Sequence, residues 1–172
     1  MRININNSND KYYRYKMDSV VIEKIGNKKG SYTKIKNMKD ICNELGHPKE
    51  VLLKYISLYF STSSSEKKES INGVFTEKQI QEAIYSYINN FVMCSKCKIP
   101  EVIPHIEGTK KNKSLHLKCN ACGHIHIVNS SIKNINKGKD IIIKYMTNNK
   151  WEIKKGMIVT NSFDPFNNIL DF

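Results

Sequence analysis

Two Cys-x-x-Cys pairs, Cys94/Cys97 and Cys119/Cys122, limit what this chain can fold into more than any other feature. Each pair sets two thiolates on one tight turn, and two such turns complete a tetrahedral sulfur cage for zinc. The 21 residues between Cys97 and Cys119 suit a ribbon, in which antiparallel β-strands return the second turn to the first. Gly123 supplies the backbone freedom that such a knuckle needs. Two disulfides, or four unrelated buried thiols, are the competing readings. Lysine richness, the lack of a secretory signal and the paired spacing favour zinc. Four thiolates leave no open position for water or substrate, so the metal is expected to be structural.

The rest of the 172 residues has room for one ordinary domain beside the ribbon. No apolar run reaches membrane-spanning length, and a cytosolic or nuclear protein is expected; the chain is also expected to be cytoplasmic and monomeric. A formal net charge of +12 favours an anionic partner, ribosomal RNA above all. Of the 28 basic residues only Arg2 and Arg14 are arginines, amid many Asn and Ile. An AT-rich genome produces that pattern, so part of the lysine excess belongs to solvated faces. Residues 94–133 hold seven lysines against two glutamates, which makes the ribbon a basic surface.

The pattern predicts an α+β fold: a small α/β domain over 18–92, followed by the C4 ribbon over 93–133. Residues 1–17 precede them as an arm, and 134–172 form a C-terminal extension. Val20–Ile25 reads as a strand, Gly26–Gly30 as a basic turn and Tyr32–Lys36 as the returning strand. Asn37 is placed to cap a short helix carrying Ile41, Cys42 and Leu45, with Gly46 past its end. Cys42 is then a core thiol. Pro48 opens a second helix bearing Val51, Leu52, Tyr55 and Tyr59. Thr76-x-x-Gln79 is a capping box, and Ile80, Ala83, Ile84, Tyr87, Ile88 and Phe91 follow at helical spacing. That helix runs almost directly into Cys94. His116, His124 and His126 share the polar rhythm of the ribbon strands and are expected at exposed positions, not as ligands. Residues 163–172 hold two aspartates and three phenylalanines, either a short docking motif or a frayed tail.

The second informative feature is Tyr12-Tyr13-Arg14-Tyr15-Lys16-Met17. Aromatics interleaved with a guanidinium and an ammonium either engage a partner or pack the arm on its own domain. In a chain that uses lysine almost everywhere, an arginine points to a need for its planar fork.

Asn4-x-Asn6, Asp10-x-Tyr12-Tyr13-Arg14-Tyr15-Lys16-Met17, Gly26 and Gly30, Leu45-Gly46-His47-Pro48, Lys54-Tyr55, Asn72-Gly73, Asn90-Phe91-Val92-Met93-Cys94 and Cys119-x-Ala121-Cys122-Gly123 occur in this order. Over residues 1–135 the chain resembles the N-terminal half of eukaryotic translation initiation factor 5. The β subunit of initiation factor 2 shares the domain pair but lacks the arginine-bearing arm. The resemblance implies a GTPase-activating partner of initiation factor 2, acting in the preinitiation complex and in start-codon selection. It implies contacts with the G domain carrying GTP, with the small ribosomal subunit and its RNA, and with the initiator tRNA complex. It makes Arg14 an arginine finger supplied in trans, held by Tyr13, Tyr15 and Lys16. Gly30 matches a glycine tied to start-codon stringency, and Lys54 a lysine important for activity.

Several positions depart from the family pattern. Asp18 replaces a proline and puts an acidic group near the finger, Tyr32 stands at a functional lysine with Lys34 close by, and Tyr55-Ile56-Ser57 replaces Tyr-Phe-Gly. Nothing corresponds to the family's C-terminal helical-repeat domain. No glycine loop for phosphates and no Ser/His/Asp constellation is present, so the chain is expected to assist catalysis without a nucleotide site of its own. The alternatives are a β-subunit-like scaffold and an RNA-binding decoy, neither with GTPase-activating ability.

Overall fold

The computed structural model describes residues 1–27 and 29–151; Lys28 and the acidic-aromatic stretch 163–172 lie outside the described residues. Among the described residues, three antiparallel sheets and four α-helices make up the α+β architecture.

The chain opens with β1 (Arg2–Asn4) and β2 (Lys16–Asp18), paired so that Ile3 faces Met17. The sequence pattern describes 1–17 as a polar arm, whereas here it is a folded hairpin. Ile5 and Met17 are fully buried in the core. Three-residue strands are too short to show period-two alternation, so the hairpin leaves no signal in the pattern. Its base is fastened to the first helix by a buried carboxylate. Glu44 pairs with the Arg2 guanidinium, and its Oε2 accepts the Asp18 amide at 2.6 Å.

A four-stranded sheet follows in the order β3–β4–β6–β5: β3 (Ile22–Asn27), β4 (Gly30–Ile35), β5 (Ser64–Ser65) and β6 (Ser70–Asn72). Helix α1 (Met38–Leu45) ends at Gly46, whose φ of 69° is the left-handed turn that glycine adopts readily. Asn37 occupies the N-cap position without capping. Its Oδ1 accepts the Val21 amide at 2.9 Å and its Nδ2 donates to Ser19 O at 2.8 Å, tying the helix start to the segment before β3. Helix α2 (Lys49–Tyr59) follows Pro48; Val51, Leu52 and Tyr55 are buried, while Tyr59 faces solvent. Helix α3 (Glu77–Tyr87) carries the complete capping box between Thr76 and Gln79.

Beyond α3 the helix widens into a π-helical turn, Ile88–Val92, which turns Ile88, Phe91 and Val92 inward. The ribbon comprises β7 (Val102–Thr109), β8 (Asn112–Cys119) and β9 (Ile125–Ile127). Its alternation holds on β8, where Leu115 and Leu117 are buried. It fails on β9, the edge strand, where Ile125 and Ile127 are exposed.

Helix α4 (Lys133–Asn148) crosses back over α2 and the ribbon, burying Ile142. The crossing is close at Gly138, where an added Cβ would lie 2.6 Å from the Phe91 ring and 3.2 Å from Tyr55. That ring is boxed edge-on by Tyr55 and stacked at a tilt on Tyr87. One continuous apolar cluster therefore runs from Ile5 through the helices to Leu115 and Val128 of the ribbon. Among the described residues no helix is long and apolar enough to cross a membrane.

The core also holds an imidazole. His47 shares a 2.7 Å hydrogen bond between Nδ1 and the Tyr87 hydroxyl and meets Trp151 edge-on. Burial pushes its pKa down to about 3, so it is neutral in the folded protein.

This packing can be probed at two places. Gly138→Ala gains helix propensity yet drives a methyl group into a boxed ring, and should lower unfolding free energy by about 1–3 kcal/mol in urea titrations. For His47, the unfolded chain takes up a proton near pH 6.5 while the folded chain does not until about pH 3. Its contribution is therefore complete above that range and falls as pH drops, by about 1.4 kcal/mol per unit. Denaturation of the native chain and of His47→Leu from pH 7 to 4.5 should show their stability difference shrinking at that slope; any metal effect is common to both.

Candidate metal centre and the arginine-bearing arm

Cys94 follows the π-helical turn after a single residue, and the Met93 amide closes that turn on Ile88 O at 2.8 Å. The first knuckle then folds tightly, with the Lys98 amide on Cys94 O at 3.1 Å and the Lys96 amide on Cys94 Sγ at 3.4 Å. In the second knuckle the Gly123 amide reaches Cys119 O at 2.9 Å. Both knuckles finish in the left-handed region, Lys98 at φ 58° and Gly123 at φ 74°. Glycine takes this turn freely; a lysine there carries a cost of about 1 kcal/mol that the knuckle must offset.

The four sulfurs all lie within 4.8 Å of one another. Cys94 and Cys122 are 3.7 Å apart, Cys97 and Cys119 3.6 Å. A tetrahedral ion with metal–sulfur bonds of about 2.3 Å needs sulfur separations of roughly 3.8 Å, whereas a disulfide needs about 2.05 Å. The cage thus fits a tetrahedrally coordinated metal ion, and the cysteines are free thiols. Burial opposes ionisation of Cys94, but amide donation from Cys97 and Lys96 outweighs it and brings the thiol down to about 7. Burial pushes Cys119 up to about 12, so full ionisation of the cage would depend on a bound ion. Among the described residues no other cluster of His, Cys, Asp or Glu is arranged to hold a metal.

The remaining candidates take other roles. Cys42 is buried in the main core, its thiol raised to about 12 by burial. His116 is half-buried, hydrogen-bonded to Ser114 and 3.6 Å from Glu107, which departs from the exposed position expected for it. His126 is exposed, and with the half-buried His124 lines a cleft beside Cys94.

The arm is held by its own side chains. Asn4, almost fully buried, donates from Nδ2 to Ser8 O at 2.8 Å and Asp10 O at 2.7 Å, while its Oδ1 accepts from Lys16 Nζ at 2.5 Å. Asn4 organises the loop, a role that no periodicity announces. The Ile5 amide donates to Tyr15 O at 3.1 Å. Tyr13 and Tyr15 are half-buried with ring centroids 5.9 Å apart. Between them Arg14 is exposed, its guanidinium carbon 5.9 Å from the centre of the Tyr15 ring. The Tyr15 hydroxyl donates to Glu101 Oε1 at 2.6 Å, joining arm to ribbon. The Asp18 carboxylate lies 3.4 Å from the Arg2 guanidinium.

Gly30 and Lys54 sit on other elements. Gly30 has φ 133° at the start of β4, a backbone conformation that favours glycine, with no atom within 4 Å of an added Cβ. Lys54 is the exposed member of an otherwise buried stretch of α2. Tyr32 stacks under Lys68, whose Nζ lies 5.3 Å from the ring centre.

A sequence profile for the domain found in initiation factors 2B and 5 matches residues 5–125, from the arm through both knuckles. The chain belongs to this initiation-factor domain family. Eukaryotic translation initiation factor 5 of Saccharomyces cerevisiae is 38% identical over 128 residues, 72% of this chain and 31% of that protein. The Dictyostelium discoideum factor is 33% identical over 118 residues, 67% of this chain and 29% of its own length. The Phaseolus vulgaris factor is 29% identical over 158 residues, 90% of this chain and 33% of its own length. The chain thus spans about a third of each relative. In this initiation-factor domain the cage and the Arg14 hairpin both lie within or against the matched region.

If the cage holds its ion as the geometry requires, a chelator should remove amide protection from β7, β8 and β9, since structural metal contributes on the order of 10 kcal/mol to such modules. Cys119→Ser should do the same at a metal concentration that leaves the native ribbon protected, read by hydrogen exchange.

Proposed function

We propose that this chain is an initiation factor 5-like accessory that stimulates GTP hydrolysis by initiation factor 2. In this reading Arg14 is a catalytic residue acting in trans, and the ion in the cage is structural Zn²⁺. The observation that carries the reading is the presentation of Arg14. Its exposed guanidinium stands on a hairpin fixed to α1 through Glu44, to its own loop through Asn4 and to the ribbon through Tyr15. The names of the relatives support the same biochemical context.

The chemistry asks for such a group. A γ-phosphoryl in transfer spreads negative charge over its oxygens, and a guanidinium meets two of them at once. The triphosphate is anionic in the ground state too, but its charge is redistributed as the bond to the leaving group breaks, so a cation pre-positioned for that distribution stabilises the transition state more than the ground state. Arginine fingers accelerate hydrolysis by about 10³–10⁵, which corresponds to roughly 4–7 kcal/mol of barrier. Tyr13 and Tyr15 hold the backbone on either side of Arg14, and Lys16 is engaged within the hairpin by Asn4. Gly30 and Lys54 serve as contacts to the initiation complex in start-codon selection. The basic ribbon faces the small ribosomal subunit and its RNA near the initiator tRNA, in the cytoplasm.

Single-turnover GTP hydrolysis on initiation factor 2, with initiator tRNA and the small subunit, tests this directly. The native chain should accelerate hydrolysis, Arg14→Ala should remove about 10³-fold or more, and Arg14→Lys should recover little because an ammonium lacks the fork. Binding without acceleration would overturn the proposal in favour of a scaffold resembling the initiation factor 2 β subunit, or an RNA-binding decoy.

A further inference from the structure

We infer that Glu101 is a positioning residue for the arginine-bearing hairpin, acting through Tyr15. The contact joins groups 86 residues apart, with the phenolic hydroxyl donating to Glu101 Oε1 at 2.6 Å. That distance lies in the short range of hydrogen bonds from a neutral donor to a carboxylate, which are about twice as strong as neutral pairs. Burial and the adjoining carboxylate raise Tyr15 to about 12, so the hydroxyl remains a donor throughout the neutral range.

Each end of the contact is fixed by backbone. On the ribbon side, Glu101 immediately precedes β7, whose first residue pairs with Cys119. The amide of Asn120, inside the second knuckle, donates to Glu101 O at 2.9 Å. The carboxylate is therefore tied by backbone to the same few residues that supply Cys119 and Cys122 to the cage. On the arm side, Tyr15 O accepts the Ile5 amide, and Arg14 is the next residue. Tyr13 lies against Tyr15, and its own hydroxyl is buried without a hydrogen-bond partner, so it contributes packing where Tyr15 contributes direction.

The hairpin base is held by Glu44, but the loop that carries Arg14 extends about ten residues beyond it. The Tyr15–Glu101 bond fixes that loop against the ribbon. Its geometry inherits the geometry of the cysteine knuckle, and an ordered cage becomes a condition for an ordered arm. The consequence for catalysis rests on the role proposed above for Arg14; the latch itself does not.

Hydrogen exchange on the full chain, loaded with Zn²⁺, tests the latch without any GTPase. Glu101→Ala and Tyr15→Phe should each speed exchange of the Ile5 amide by about tenfold or more. The double variant should exchange no faster than either single one. Glu101→Gln keeps an accepting carbonyl and should restore most of the protection. Exchange of the Val128 amide, bonded to Leu115 O, should stay unchanged, which separates loss of the latch from unfolding of the ribbon. Unaltered exchange at Ile5, or additive effects in the double variant, would overturn the inference. In the hydrolysis assay Glu101→Ala should lower the single-turnover rate while leaving the half-saturating concentration nearly unchanged. If the arm loosens but Arg14→Ala leaves hydrolysis unaffected, the latch stands and the finger assignment falls.

Discussion

Four sulfur atoms gathered within 4.8 Å organise the C-terminal half of this protein and, through one side chain, its beginning. The three-stranded ribbon ends in an edge strand whose isoleucines face solvent. A tetrahedral ion held by the four sulfurs would close the two knuckles, each of which ends in a left-handed residue. With the knuckles set, Leu115, Leu117 and Val128 meet the helical core, and α4 can lie across both.

Polar groups inside this fold act as fasteners more than as sources of net stability. Glu44 is almost entirely removed from water, yet its oxygens receive a guanidinium and a backbone amide from the first hairpin. Such a carboxylate adds modestly to stability when satisfied and costs several kcal/mol when a partner is lost. Asn4 plays the same part for the loop around Arg14. His47 illustrates the opposite strategy, a titratable ring kept neutral by burial and used as a rigid aromatic wall beside Tyr87 and Trp151.

If Arg14 acts as proposed on a transient charge in another protein, rigidity of presentation matters more than affinity. Arg14 stands between two tyrosines that lean on the protein's own core, so little motion has to be frozen when a partner arrives. The Asp18 carboxylate lies beside Arg2 on the opposing strand, and the Arg14 guanidinium lies near the Tyr15 ring.

Features encoded within a few residues were legible in the chain itself. The cysteine pairs announce a sulfur cage because a two-residue spacing fixes two thiols on one turn. The Thr76 capping box, the left-handed Gly46 and the apolar stripe of α3 are likewise local, set by backbone geometry and helical period. What needed the tertiary structure was the choice of distant partners. Glycine at position 138 reads as a weak point in a helix until Phe91 is found 2.6 Å from where a methyl group would sit. Asn37 looks like a cap but spends its amide on Ser19 and Val21, and the arm proves to be a hairpin latched to Glu101. Local spacing determines which groups are available; long-range packing decides which of them meet, because only the closed core fixes the distances between segments that the chain leaves free.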